Sequence, residues 1–337
     1  MKALVIAEPG SAHIQDIAEP ESRPGEALLR VRRVGLCGSD LNSFRGRNPL
    51  VSFPRVPGHE VAATIVSLNG HHPLLSEGMD VTLSPYTSCG KCAACLGGRH
   101  NACKENQTMG VQRDGALTEY ISVPVDKLYA AKLGLQELCL VEPLTVGFHA
   151  VARARVTHGD TVAILGCGGV GLGAVAASSL LGAKTIAIDI DDAKLAIACK
   201  TGAAHSIHSL RQSVPAVLSE LTNGLGPSVV IEAVGTPDTF RAAVDAVAFT
   251  GRVVYIGYAK EPVAYETRLF VLKEIDILGS RNALPEDFRS VIRMLEQRQF
   301  PVESAISKTV PLREAPDVFH AWSSDPCQWA KIMISLD

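Results

Sequence analysis

Sulfur, imidazole and carboxylate side chains recur in this chain at spacings that suit metal chemistry. Cys37 lies in Gly35-Leu36-Cys37-Gly38-Ser39-Asp40, His59 and Glu60 end Pro57-Gly58-His59-Glu60, and Glu142 lies in Val141-Glu142-Pro143-Leu144. Singly, each has an ordinary reading: a core thiol, a solvated turn, a helix-starting acid paired with Arg153 or Arg155. Together they offer sulfur, nitrogen and carboxylate donors from three loops. A catalytic zinc takes three protein ligands and keeps one exchangeable position. Cys37, His59, Glu60 and Glu142 are therefore the candidate ligands.

Cys89, Cys92, Cys95 and Cys103 form a second pattern, C-x2-C-x2-C-x7-C. Four thiolates around one ion make a closed structural zinc site with no place for water. The loop is rich in Gly, Ala, Lys and Asn and has little apolar material of its own, so ligation would supply its order. An iron–sulfur cluster is the competing reading of the same spacing.

A third pattern is Gly166-Cys167-Gly168-Gly169-Val170-Gly171, which follows the β-rich run Thr161 to Leu165. Glycines there let the backbone approach a pyrophosphate seated on a helix N-terminus. Asp189 ends the next strand at nearly the required distance and would accept hydrogen bonds from the adenine ribose. A carboxylate in that position repels a 2′-phosphate, which favours NAD over NADP; Asp191 and Asp192 add to the effect. The ordinary reading is a glycine-rich turn of another α/β fold, with Asp189 as a helix cap. Ile256, in the run Arg252 to Gly257, is a further cofactor-contact candidate.

The elements that must position these groups fall into three regions. Up to about Leu140, short runs (Leu28 to Val34, Val61 to Leu68, Val81 to Ser84) alternate with Gly/Pro turns, as in a partly open barrel or sandwich. From about His158 to Gly279, strands Thr161 to Leu165, Thr185 to Asp189, Val229 to Ala233 and Arg252 to Gly257 alternate with helices such as Asp192 to Thr201 and Phe240 to Ala248. That alternation predicts a doubly wound parallel sheet, hence an α/β fold. The tail offers one amphipathic helix, Pro285 to Arg298, and a closing strand, Ala330 to Leu336, that returns to the first domain.

With 337 residues there is material for two domains, and 47% hydrophobic against 20% charged residues excludes a disordered chain. A net charge of −3 leaves no electrostatic footprint for nucleic acid, so the expected partner is a small molecule. Met1 to Ile6 is too short for a secretory signal, and nine cysteines then point to metal or thiol chemistry in the cytoplasm. Thr161 to Ala183 carries no charge, but the five glycines clustered between Gly166 and Gly173 suit a strand, turn and buried helix better than a membrane span of about 20 residues.

On these residues, together with Lys331-Ile332-Met333, essentially the whole chain resembles the zinc-containing medium-chain alcohol dehydrogenases. Within them it is similar to the sorbitol and sugar-acid (hexonate) branch. The resemblance implies a chaperonin-10-like, β-rich catalytic domain (1–145 and 281–337) and an inserted Rossmann NAD-binding domain (146–280). It implies two Zn2+ per chain: Cys37 and His59 with either Glu60 or Glu142 at the catalytic ion, the other carboxylate acting catalytically. Lys331 would contact the cofactor pyrophosphate. The metal would act as a Lewis acid on a substrate hydroxyl, and Ser39 would take its proton. Many relatives carry a histidine five residues after the zinc cysteine; here that position is Asn42, which cannot titrate.

The expected substrate is a sugar acid such as L-galactonate, L-gulonate or L-idonate. Arg45, Arg47 or Arg55 could clamp its carboxylate. Arg281 and Asn282, in a segment similar to that of hexonate dehydrogenases, could contact substrate. Polyol (sorbitol-like), threonine and butanediol dehydrogenases are the alternatives. A zinc-free NADPH quinone reductase would lack these ligands, and a non-catalytic nucleotide-binding protein would have lost the open site. A homotetramer is expected, with a homodimer as runner-up.

Overall fold

Along Glu26–Leu36 buried and exposed residues alternate for much of the strand, which therefore sets one face into a core; Ala27, Leu29 and Val31 are fully enclosed. A computed structural model describes every residue except His71 and Gln328. The chain divides into one unit of Met1–Glu142, Leu284–Gln297 and Val302–Asp337, and another of Pro143–Ala283 and Arg298–Pro301.

In the first unit, Glu26–Leu36 is the hub of a seven-stranded sheet ordered Lys308–Pro311, Ile332–Ser335, Glu26–Leu36, Glu60–Leu68, Asp80–Leu83, Leu128–Ala130, with Tyr120–Pro124 also paired to the hub. The closing strand does return to the N-terminal part of the chain, antiparallel to Glu26–Leu36. Register matters here. Ile332 lies opposite Leu36 while Gly35 lies opposite Glu60, so three distant segments reach one end of the sheet together.

The second unit is an entirely parallel sheet ordered His205–His208, Lys184–Asp189, Thr161–Leu165, Val229–Glu232, Arg252–Tyr255, Asp276–Gly279. Sequence order therefore reverses between Thr161–Leu165 and Val229–Glu232, the switch point beside which such sheets bind ligands. The uncharged stretch resolves into strand Thr161–Leu165, a glycine turn and helix Gly169–Leu180. Among the described residues no helix is long and apolar enough to cross a membrane.

Helix limits differ from the expected ones where caps intervene. The helix placed at Phe240 begins at Pro237, because Thr236 accepts the Thr239 N–H and proline suits the first turn. The tail helix spans Pro285–Glu296, and Asp192–Lys200 is capped by Asp191, which accepts from Ala193 and Lys194.

Asp160 braces the second unit. One oxygen takes the Ser228 hydroxyl at 2.7 Å and the Arg252 guanidinium; the other takes the Thr157 N–H at 2.8 Å. Burial opposes its ionisation, but Ser228, Thr157 and Arg252 together hold its carboxyl below the usual range. A depressed folded value stabilises above the unfolded pKa of about 3.9 and loses that contribution as pH falls through the folded one. Asp160→Asn is accordingly expected to cost about 1–3 kcal/mol at pH 7. The gap to the parent should narrow in thermal melts near pH 3, and a gap independent of pH would contradict the assignment.

Candidate active site

One buried carboxylate bolts two turns together. Asp40, in the first turn of helix Gly38–Phe44, accepts the Cys37 N–H at 2.9 Å on one oxygen and the Gly58 N–H at 3.2 Å on the other. Cys37 and the Gly58-His59-Glu60 run are thereby fixed side by side. A Cys37 sulfur, a His59 ring nitrogen and a Glu60 oxygen all lie within 4.8 Å of one another. His59 Nδ1 is buried without a hydrogen-bond partner, and so is Ser39 Oγ. Nδ1 faces the Asp40 carboxylate at 3.9 Å, and a thiol, an imidazole and a carboxylate drawn within 4.8 Å of one another make a donor set that fits a zinc ion.

Charge in this pocket is one-sided. Burial raises the Asp40 carboxyl above the usual carboxylate range. Burial opposes charge on His59, yet Asp40, Cys37 and Glu142 outweigh it and hold the ring well above its ordinary value. Glu60 has its own counter-ion: Lys331 Nζ donates to both of its oxygens at 2.7 Å and to the Leu36 carbonyl at 3.2 Å. A Cβ at Gly35 would overlap the Glu60 carboxylate, so glycine there makes the room. Lys331, expected on the cofactor pyrophosphate, thus directs its ammonium at Glu60.

Glu142 is a correction. Its expected place was a loop, but it sits inside helix Leu135–Arg153, which continues through Pro143. It does not belong to the close set of Cys37, His59 and Glu60. Its carboxylate accepts the Tyr86 hydroxyl, and burial raises its pKa. Arg153 donates to the Gly279 carbonyl at 3.3 Å and Arg155 pairs with Asp276 at 2.5 Å.

The four loop cysteines converge as their spacing predicts. Their sulfurs lie within 4.8 Å of one another, with Cys92 and Cys103 3.9 Å apart. A tetrahedron with metal–sulfur bonds of about 2.3 Å has edges of about 3.8 Å. That spacing fits four thiols on one ion rather than one thiol on each of several irons. Cys89 N–H and Glu105 N–H both donate to Cys103 Sγ at 3.3 Å. Backbone N–H groups of Lys104 and Cys95 pull the Cys92 thiol down to about 6, while burial and Cys92 push Cys95 up to about 11. None of the nine cysteines is in a disulfide.

At the glycine turn, a Cβ on Gly171 would run into the Gly166 carbonyl, so only glycine lets the helix start this close to the strand. Gly168 caps the helix, which opens at Gly169 and Val170. Asp189 accepts Cys167 N–H at 2.6 Å, Ile190 N–H at 2.7 Å and Asp191 N–H at 3.1 Å, bracing the turn from the neighbouring strand end. The helix cap is Asp191, not Asp189. Ile256 follows strand Arg252–Tyr255 and donates its N–H to the Glu232 carbonyl.

The substrate arginines are less free than expected. Arg45 donates to the Ser323 hydroxyl at 3.1 Å and to its carbonyl, and Arg55 pairs with Asp114 at 3.0 Å. Arg47 is exposed; Arg281 and Asn282, half-buried, follow strand Asp276–Gly279, with Asn282 in the left-handed region. Sequence reasoning overlooked two residues. Asp40 had a signal, since an acid three residues after Cys37 has capping-box spacing. Tyr86, 56 residues from Glu142, had none.

Comparison with known proteins agrees with this geometry. The chain matches the family model for an alcohol dehydrogenase GroES-like domain over residues 23–133 and that for a zinc-binding dehydrogenase over 169–297. It is 31% identical to the L-galactonate-5-dehydrogenase of Escherichia coli, over 95% of this chain and 94% of that one. It is 34% identical to a sorbitol dehydrogenase of Bacillus subtilis, over 83% and 81%. A proposed zinc-binding dehydrogenase of Sinorhizobium meliloti, solved with NADP bound, superposes with a TM-score of 0.90 at 28% identity, covering 99% of this chain and 98% of its own.

Removing one partner of a buried ion pair leaves the other charge uncompensated, at about 3–5 kcal/mol. Lys331→Met in chelator-treated protein should therefore lower the unfolding midpoint markedly. A thermal melt superposable on the parent's would show that Glu60 does not depend on Lys331.

Proposed function

Because this chain belongs to the zinc-type medium-chain alcohol dehydrogenases, in their sugar and polyol branch, we propose that it moves hydride between a secondary alcohol of a small polyhydroxy substrate and NAD. The substrate class we favour is a sugar acid such as L-galactonate, L-gulonate or L-idonate. The reading is carried by the convergence of a sulfur, a nitrogen and an oxygen donor from Cys37, His59 and Glu60 within 4.8 Å.

Cys37, His59 and Glu60 would hold a catalytic zinc, and Cys89, Cys92, Cys95 and Cys103 a structural one. When bound, the catalytic ion supplies Lewis acidity that makes a substrate hydroxyl more acidic. Lys331 balances the Glu60 charge, leaving a carboxylate with lone pairs to spare for a ligand role. Ser39 Oγ, buried and without a partner, accepts the hydroxyl proton and passes it on. Asn42 cannot titrate, so the route beyond Ser39 runs through water or the nicotinamide ribose. Glu142, near enough to raise the His59 pKa, is the second, non-ligating carboxylate.

The Gly166–Gly171 turn and the helix that follows would seat the pyrophosphate. Asp189 favours NAD, since a 2′-phosphate beside its carboxylate meets like charge. A homotetramer is proposed, with a homodimer as the simpler assembly. Strand Asp276–Gly279 is an edge of the parallel sheet, Ile277 is 42% exposed, and an unpaired edge invites a second chain.

Metal analysis should return about two zinc per chain. Cys37→Ser should lose one of them together with turnover, while one zinc or none in the parent would sink the catalytic assignment. A panel of hexonates, polyols, threonine and butanediol with NAD and NADP, followed at the nicotinamide absorbance, decides substrate and cofactor. Highest kcat/KM for a hexonate with NAD is the expected result; preference for a polyol, threonine, butanediol or NADP would replace that part of the reading.

A further inference from the structure

Tyr86 is the least expected neighbour of the candidate metal centre. It is buried, and its hydroxyl donates to the Glu142 carboxylate. Tyr86 cannot shift to follow Glu142, because its own backbone is pinned on both sides. The Pro85 carbonyl accepts Met109 N–H at 3.0 Å and the Arg113 guanidinium at 3.2 Å. Ser84 N–H donates to the Lys127 carbonyl at 2.9 Å, and Thr87 Oγ1 accepts Gln107 N–H at 2.7 Å. Three residues on from Tyr86, Cys89 enters the four-thiol cluster through its N–H bond to Cys103 Sγ. The phenol is thus a fixed donor, and the Glu142 carboxylate, at the end of a flexible side chain on a helix, comes to it.

That fixed donor has a consequence for the ligand set. Of the buried carboxylates around the Cys37 and His59 pair, Glu60 accepts from Lys331 and Glu142 accepts from Tyr86. Only Glu60 is close enough to Cys37 and His59 to join them as a ligand. We propose that Tyr86 is a positioning residue whose hydroxyl anchors the Glu142 carboxylate outside the set formed by Cys37, His59 and Glu60. The number of carboxylates on the metal is then set by a phenol from the loop that leads into the four-cysteine lobe. This rests on the reading of Cys37, His59 and Glu60 as a metal site.

Cobalt(II) replaces zinc and reports its coordination number through visible absorption, whose intensity falls as a fifth ligand joins. The signal of the catalytic site is read as the difference between the parent and Cys37→Ser, which keeps the four-cysteine site. In Tyr86→Phe the ring remains and only the hydroxyl is lost. The difference spectrum should weaken as Glu142 joins the metal, and kcat should fall about tenfold, as for other residues that orient metal ligands. KM for the nicotinamide cofactor should stay within about twofold, since the altered contact lies at the metal. In a Glu142→Gln background, Tyr86→Phe should change neither spectrum nor kcat further, because the two residues act as one unit. A Tyr86→Phe spectrum and kcat equal to the parent's would overturn the role of Tyr86. Equal effects with and without Glu142 would overturn it as well. Absence of any cobalt difference signal in the parent would overturn the metal-site reading and this inference together.

Discussion

Negative charge buried without water has to be answered nearby, and the catalytic unit buries three carboxyl groups around one thiol and one imidazole. Asp40, Glu60 and Glu142 are all less than a twentieth exposed. Each is answered differently. Asp40 takes two backbone N–H groups, Glu60 takes an ammonium, and Glu142 takes a phenol. These answers are incomplete, since burial still lifts the Asp40 and Glu142 carboxyls, and the negative charge around it lifts the His59 ring as well. Where an imidazole and the Asp40 and Glu142 carboxyls lean toward holding protons, a divalent cation would compete with those protons. The geometry of the sheet end follows from that demand: Gly35 stays small to admit Glu60, and the closing strand delivers Lys331 beside it.

The four-cysteine lobe meets the same demand without a core. Its thiols are steadied by backbone N–H groups and by one another, and its surroundings are largely exposed. Metal there would order a segment that has little apolar surface to fold on. The lobe is not isolated from the first unit, because the loop that leads into it carries Tyr86, and the stretch that leaves it closes hydrogen bonds onto Pro85 and Thr87. Order in the lobe and placement of Glu142 are therefore parts of one hydrogen-bonded frame.

What the sequence disclosed was what is local in the chain. The C-x2-C-x2-C-x7-C spacing, the Gly166–Gly171 turn after a strand and the Gly58-His59-Glu60 run can each be read because their parts are neighbours. The alternation of strands and helices likewise gave the parallel sheet, since a crossover needs a helix between parallel strands. Pairings across long separations were illegible. Glu60 and Lys331 are 271 residues apart, and nothing in either neighbourhood announces the other. Glu142 was misplaced for a different reason: Val-Glu-Pro looks like a turn, because proline breaks a helix when its ring and missing N–H are uncompensated. Here packing carries the helix through it. The substrate arginines illustrate the remaining gap, for loop position said nothing of Ser323 or Asp114, which take Arg45 and Arg55.

The two units share one device, a carboxylate that both folds a turn and faces the chemistry. Asp40 builds the Cys37 turn while charging His59. Asp189 receives three backbone N–H groups of its own neighbourhood, one of them from inside the glycine turn, while its charge is what would select against a 2′-phosphate. In the proposed NAD reading, cofactor preference is then not carried by a detachable surface residue. Replacing Asp189 by a neutral or basic side chain would remove like charge from the phosphate position and, in the same step, unfasten Cys167 from the strand end. On that proposed reading selectivity and turn geometry rest on the same carboxylate, so a change of cofactor would have to come with a new acceptor for the Cys167 N–H.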